Sequence, residues 1–205
     1  YKQAFQKALK LTTKEKQKIL NDYLNLRENI FQKPGRALEQ IYFTFEITAD
    51  WGVYKDLMRH RVVTRFKQNF TNDLGFFMPP EIEHSNFKDL YLKATDKALN
   101  SFSKIKKVFP SEAQYLVLHS SYNRFLIKLN LREISHLTEL RSSQQGHSSY
   151  RKIAQQIAQL VIIRYPILKP VFKFVDFNDY DLERLKAFQR IEEKAKKLNI
   201  TPFEE

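Results

Sequence analysis

Twice along the chain the apolar residues switch from helical spacing to strict alternation, and no other feature limits the fold as much. Ile41, Phe43, Phe45 and Ile47 alternate with Tyr42, Thr44, Glu46 and Thr48. Over 122–129, Phe125, Ile127 and Leu129 alternate with Arg124, Leu126 and Lys128. A period of two places one set of side chains on each face of a strand, so both segments read as half-buried antiparallel strands. Most of the remaining chain carries apolar residues at helical spacing. The expected class is α+β, with several helices packed on a small antiparallel sheet.

The helical stretches have recognisable starts and stops. Thr12-Thr13-Lys14-Glu15 has capping-box spacing, and Ile19, Leu20, Tyr23, Leu24, Ile30 and Phe31 continue it until Pro34-Gly35. Residues 1–35 are rich in Lys and Gln and read as a helical arm or linker, with residues 36–205 as the folded domain. Asp50 stands at an N-cap position ahead of Trp51, Tyr54, Leu57 and Met58, a short helix that runs into Arg59-His60-Arg61. Asn72-Asp73, Gly75 and Pro79-Pro80 predict an irregular loop over 65–80. A long helix is expected over 86–108, with Phe87, Leu90, Tyr91, Ala94, Ala98, Phe102 and Ile105 on one face. Shorter helices follow from Ser111-Glu112-Ala113-Gln114 and from Asn130 to Arg141. A polar loop containing Gly146 separates these from helices over 150–164 and 179–198, the last with Leu182, Leu185, Ile191, Ala195 and Leu198 as its stripe.

Composition excludes several chemistries. The chain has no cysteine, so thiolate catalysis, iron–sulfur clusters and cysteine zinc sites are out, and a reducing cytoplasmic setting fits. The histidines His60, His84, His119, His136 and His147 lack metal-ligand spacing, and no metal site is expected. No apolar run approaches the ~20 residues of a membrane span, and no signal peptide is visible. The chain opens on Tyr rather than Met, which fits a piece of something longer. There is no G-x-G-x-x-G, no Walker loop and no H-E-x-x-H, and four glycines leave little material for a backbone phosphate cradle. Lys+Arg 35 against Asp+Glu 23 gives +12, an attraction to anions that does not choose among them.

Two constellations could carry chemistry. Arg59-His60-Arg61 sets two guanidiniums beside an imidazole, a set able to grip a phosphate or an aromatic ring; alone it is most simply a solvated charged turn. Glu139-Leu140-Arg141, then Gln144-Gln145-Gly146-His147 and Tyr150-Arg151, puts a cation and a polar loop ahead of a helix N-terminus, which suits anions. Alone it is an ordinary helix–loop–helix. Tyr42, Trp51, Phe76 and Phe77 could stack on a planar ligand or simply fill the core.

Taken in order, these pieces resemble the flavin-dependent thymidylate synthases. That family carries an E-H-x-x-F-T-F strand, and here Glu39-Gln40-Ile41-Tyr42-Phe43-Thr44-Phe45 stands in its place. Thirteen residues separate Phe45 from Arg59-His60-Arg61-Val62-Val63-Thr64, which resembles the family's R-H-R-x-x-S at the same interval. Asn130, Arg132 and Leu140-Arg141 match its N-x-R and L-R elements, so the likeness runs from Arg36 to Pro166. The resemblance implies a homotetramer holding FAD at subunit interfaces and making dTMP from dUMP with methylenetetrahydrofolate and NADPH. Arg59, His60, Arg61 and Gln40 would bind the flavin. Arg141 would be the catalytic cation and, with Thr64, Gln68, His147 and Arg151, would contact the nucleotide.

This chain departs from the family where Gln40 replaces His, Thr64 Ser, Phe66 Asn and Lys67 Glu, and where Tyr115 falls near a phosphate-gripping Arg. Losing one buried charged partner of a phosphate costs ~2–5 kcal/mol, so these departures imply a degenerate or composite site. The order R-H-R-x-x-T then E-L-R-x-x-x-Q-G-H is similar to the second module of longer two-module relatives. A pseudo-oligomer with an N-terminal sister module is therefore expected beside a homo-oligomer. Two alternatives stay open: a catalytically inactive structural or oligomerisation module of the same fold, with Lys67 and Tyr115 filling the old site, and, ranked last, a nucleic-acid-binding domain using the basic surface.

Overall fold

The computed structural model describes residues 2–180 and 183–198. In chain order its elements are α1 (Lys2–Lys10), α2 (Thr13–Leu24), a 3-10 turn (Arg36–Gln40), β1 (Tyr42–Asp50), α3 (Trp51–Leu57), β2 (Thr64–Lys67), α4 (Pro80–Glu83) and α5 (Lys88–Lys106). A second 3-10 turn (Glu112–Leu116), β3 (Tyr122–Asn130), α6 (Leu131–Arg141), α7 (Ser148–Arg164), a third 3-10 segment (Pro166–Phe172) and α8 (Glu183–Leu198) follow. This is the α+β class expected. The chain forms two compact units, one made of 42–130 and the other of 1–41 with 131–205.

The 42–130 unit is built on the sheet, whose order is β1-β3-β2. Both pairings are antiparallel: Tyr42 faces Asn130 and Asp50 faces Tyr122 in one, Thr64 faces Lys128 and Lys67 faces Phe125 in the other. The alternation at β3 is as predicted: Phe125, Ile127 and Leu129 are buried while Arg124, Leu126 and Lys128 are exposed. In β1, Ile47 and Ala49 are buried and Phe43 and Phe45 half-buried, whereas Ile41 lies before the strand and is exposed. Each fully buried Leu, Ile or Phe contributes about 1.5–3 kcal/mol, which is why the register cannot slip by one.

In the other unit, α6 is held by α7, and its buried face is Leu131, Ile134, Ser135, Leu137, Thr138 and Glu139. The third 3-10 segment, with Leu168, Val171 and Phe172 buried, packs on α2, α6 and α7.

Several elements differ from expectation. The helix after the capping box is present, with the Thr12 and Glu15 side chains each bonding the other's backbone N–H, but it ends at Leu24 rather than continuing to Phe31. Further on, the Asn29 side-chain oxygen accepts the N–H of Phe31 (3.0 Å) and Gln32 (3.2 Å), a local turn that competes with helix over 29–32. β2 overlaps the start of the stretch read as an irregular loop over 65–80. As an edge strand, none of whose side chains is fully buried, it shows no apolar alternation to find. In place of the helix expected from Ser111, the chain makes the 3-10 turn Glu112–Leu116 without a Ser111 side-chain cap; Gln114 Oε1 instead accepts the N–H of Phe70 at 3.0 Å. On the long helix Phe102 is buried, yet Phe87 and Leu90 are exposed. Of the last stripe, Ala195 is buried and Ile191 and Leu198 are exposed; Leu182 and the Leu185 side chain lie outside the described residues. Among the described residues no helix is long and apolar enough to cross a membrane.

Candidate functional site

In the 42–130 unit the Arg-His-Arg triplet is the passage from α3 to β2. Asp50 starts α3 by accepting the Val53 N–H at 3.0 Å, and the Trp51 N–H donates to the His119 carbonyl at 3.0 Å. Trp51 stacks on Tyr54 with ring centres 4.8 Å apart, and Tyr54 meets Phe125 edge-on at 4.9 Å. The helix is thus fixed on the sheet's buried face, and its last turn delivers the triplet. The His60 N–H donates to the Leu57 carbonyl at 3.2 Å, and the Arg65 guanidinium donates to the Met58 carbonyl.

Within the triplet the side chains divide. His60 is 6% exposed, whereas the Arg59 side chain is 71% exposed and Arg61 is exposed as well. Arg59 lies 3.8 Å from Asp56, a long and solvent-screened pair. Two guanidiniums therefore face outward from a turn anchored by a buried imidazole. Thr64 is exposed at the head of β2. Gln68 continues the edge by donating its N–H to the Arg124 carbonyl at 3.2 Å. It lines a shallow cleft of about 480 Å³ with Phe70, Asp73, Lys106 and Gln114. The Thr71 hydroxyl holds the Asp73 carboxyl below its ordinary range; slight burial opposes this and Lys106, at 3.3 Å, reinforces it. Lys67 sets its ammonium 4.3 Å from the Phe70 ring centre and 6.0 Å from that of Trp51, while Tyr115 is 91% exposed.

In the other unit Arg141 closes α6, half-buried, with its guanidinium 5.6 Å from the Tyr150 ring centre. Gly146 is tightly surrounded there: a Cβ would lie 2.8 Å from the Tyr150 ring, 2.9 Å from Arg151 Cγ and 3.0 Å from the Ser143 carbonyl oxygen, so a neighbour would have to shift. His147 is exposed and caps α7, its Nδ1 accepting the Ser149 N–H at 3.3 Å. Arg151 is 2% exposed and donates to the Ser142 carbonyl (2.9 Å) and the Asn178 carbonyl (2.8 Å), with Asp176 at 3.9 Å. Gln40 is exposed at the end of the first 3-10 turn, beside Glu39, whose Oε1 accepts from Arg132 at 3.0 Å. Arg141 and His147 thus both lie against the Tyr150 ring, while Arg151 bonds the 142–147 loop at Ser142 and lies over Tyr180. Arg59, His60, Arg61, Thr64 and Gln68 follow one another along the α3–β2 edge.

Two features escaped the sequence. Arg27, in the lysine-rich leading segment, forms a buried ion pair with Glu139 at 2.7 Å, two residues before Arg141. Asn123, 1% exposed in β3, has no hydrogen-bond partner for either amide atom among the described residues. Nothing local marks either one: an Arg among many cations and an Asn in an alternating strand become notable only through what surrounds them. Among the described residues no group of three or more His, Asp or Glu is placed to hold a metal ion.

The chain matches the family described as Thymidylate synthase complementing protein over residues 1–167. It is 41% identical over 172 residues to a protein named "UPF0159 protein" from Chlamydia muridarum, covering 84% of this chain and 32% of that one. A UPF0159 protein of Chlamydia pneumoniae is 37% identical over 85% of this chain and 33% of its own length. A third, from Thermoplasma acidophilum, is 34% identical over 92% of this chain and 38% of its own length. The chain therefore spans about a third of the length of these relatives. With the triplet on its turn between α3 and β2, Arg141 at the end of α6 and the match over most of the sequence, the chain belongs to the family of thymidylate synthase complementing proteins.

Proposed function

We propose that this chain is a flavin- and nucleotide-binding module of a cytoplasmic thymidylate synthase, working in a composite site with further copies or a sister module. The whole protein would methylate dUMP to dTMP with methylenetetrahydrofolate, FAD and NADPH. The observation that carries this is the outward pair of guanidiniums at Arg59 and Arg61 on a turn made rigid by Asp50 and His60. That donor set fits the diphosphate of a flavin dinucleotide, where charge-assisted hydrogen bonds are strong. Bound flavin would supply hydride chemistry; the protein's part is binding, orientation and charge. Arg59 and Arg61 would hold the anion and His60 would keep their turn in place. Arg141 would set a positive charge at the nucleotide, with Thr64, Gln68 and His147 as polar contacts. Arg151, committed to the Ser142 and Asn178 carbonyls, would serve by shaping the loop.

A second reading is favoured by Lys67. Its ammonium lies over the Phe70 and Trp51 rings, a cation engaged within the fold, as a module kept for architecture would have. Gel filtration with a visible absorption spectrum, followed by flavin titration with and without dUMP, separates the two. Flavin retained through the column and spectrally perturbed by dUMP supports the synthase module. A folded protein that takes up no flavin at high concentration supports architecture.

A further inference from the structure

The turn carrying Arg141 is clamped on both sides, in part by residues outside the sequence motif, Arg27 and Asp176. On its N-terminal side Glu139, with a side chain 3% exposed, receives the Arg27 guanidinium at 2.7 Å. Arg27 also lies 3.4 Å from the Val171 carbonyl and 3.5 Å from the Ser135 hydroxyl, and its Nε donates to the Gln32 carbonyl at 2.7 Å. The Ser135 hydroxyl in turn donates toward Glu139 Oε1 at 3.2 Å. On the C-terminal side the Ser142 carbonyl accepts from Arg151, and its hydroxyl accepts the Asp176 N–H at 3.0 Å. Arg141 sits between these two fixed points. A buried guanidinium satisfied by two backbone carbonyls, a hydroxyl and a carboxylate is expensive to desolvate, and a packed apolar pair would serve stability as well or better. What the ionic arrangement adds is a directional, planar fork that fixes the Glu139 turn in one orientation.

We infer that Arg27 is a positioning residue for Arg141, so that the leading segment belongs to the nucleotide-binding machinery rather than serving as a tether. It acts through Glu139, holding the last turn of α6 so that Arg141 is presented over Tyr150 ahead of the 142–147 loop. The consequence for ligand binding rests on the reading given above for Arg141; the consequence for the order of the turn does not.

The test uses this chain with Arg27→Lys, which keeps the charge and loses the fork, and the double change Arg27→Met with Glu139→Gln, which removes both charges. Amide hydrogen exchange is followed over 136–147 and, as a reference for the sheet-bearing unit, over 123–129; dUMP titration is run in the presence of FAD. Expected for both variants is exchange about ten-fold faster over 136–147 with the reference unchanged. dUMP affinity should fall about ten-fold in parallel. Unchanged exchange over 136–147 in Arg27→Lys would overturn the proposal, as would equal acceleration of both segments. Faster exchange over 136–147 with dUMP affinity intact would also overturn it. If the unaltered chain binds neither FAD nor dUMP, the synthase reading fails by itself, and local exchange still decides whether Arg27 orders the turn.

Discussion

Arg27 and Glu139 show how much one contact can weigh when both partners leave water. Breaking the pair from one side leaves a charge buried without its counterpart, a loss of about 3–5 kcal/mol. Arg27→Met should lower stability by that amount in urea unfolding, and adding Glu139→Gln should recover most of it, because no uncompensated charge then remains. Asn123 makes the opposite case. Its amide is buried with neither atom paired among the described residues, so Asn123→Val should stabilise the chain by roughly 1 kcal/mol. A loss instead would mean that the amide has a partner such as buried water. Asp73 titrates low because Thr71 donates to its ionised form. A carboxyl lowered on folding contributes stability above its unfolded pKa and loses it as pH falls through the folded value. Thr71→Ala should raise the Asp73 titration toward the ordinary carboxylate range, read by carbon NMR. The accompanying change in stability should be small, since this carboxyl is largely in water.

At the scale of elements, α3 is short enough to depend on its cap. Seven residues cannot hold a helix by propensity alone, so Asp50 and the aromatic base of Trp51, Tyr54 and Phe125 must do it. Asp50→Ala should cost about 1 kcal/mol and loosen the Arg-His-Arg turn, visible as faster amide exchange over 57–63. The loop after α6 depends on Gly146 in a different way. Gly146→Ala would push the added methyl against the Tyr150 ring and the Ser143 carbonyl, and the ring is what Arg141 lies over. Thermal stability should fall and the 142–147 amides should exchange faster; an unaltered Tm would mean that Tyr150 simply swings aside.

For the molecule as a whole, the two units divide the candidate residues. Arg59, His60, Arg61, Thr64 and Gln68 belong to 42–130, and Gln40, Arg141, His147 and Arg151 to the other unit. This chain spans about a third of the length of the relatives it matches, so activity is proposed for the whole protein and binding for this chain. Arg59→Ala and Arg61→Ala should each weaken flavin uptake by ten-fold or more if their guanidiniums hold its diphosphate. Their unfolding midpoints should stay close to the starting value, because both side chains are exposed.

Local physics was legible in the sequence. Alternation at 41–48 and 122–129 announces strands because burying one face is the largest favourable term. Thr12-x-x-Glu15 and Asp50 announce helix starts because orphan N–H groups must find nearby acceptors. The short helix read from Asp50 onward runs into Arg59-His60-Arg61 and so places the triplet where helix gives way to turn. What only the tertiary structure decided is whatever depends on residues distant in the chain. Arg27 meets Glu139 across 112 positions. The edge strand β2 exists because β3 offers it hydrogen bonds, and its own side chains needed no pattern. Gln114 caps no helix because Phe70 arrives to take its carbonyl. Short-range patterns follow from backbone geometry and are written residue by residue; a buried charge pair depends on the surroundings that folding assembles around it, and no local window contains them.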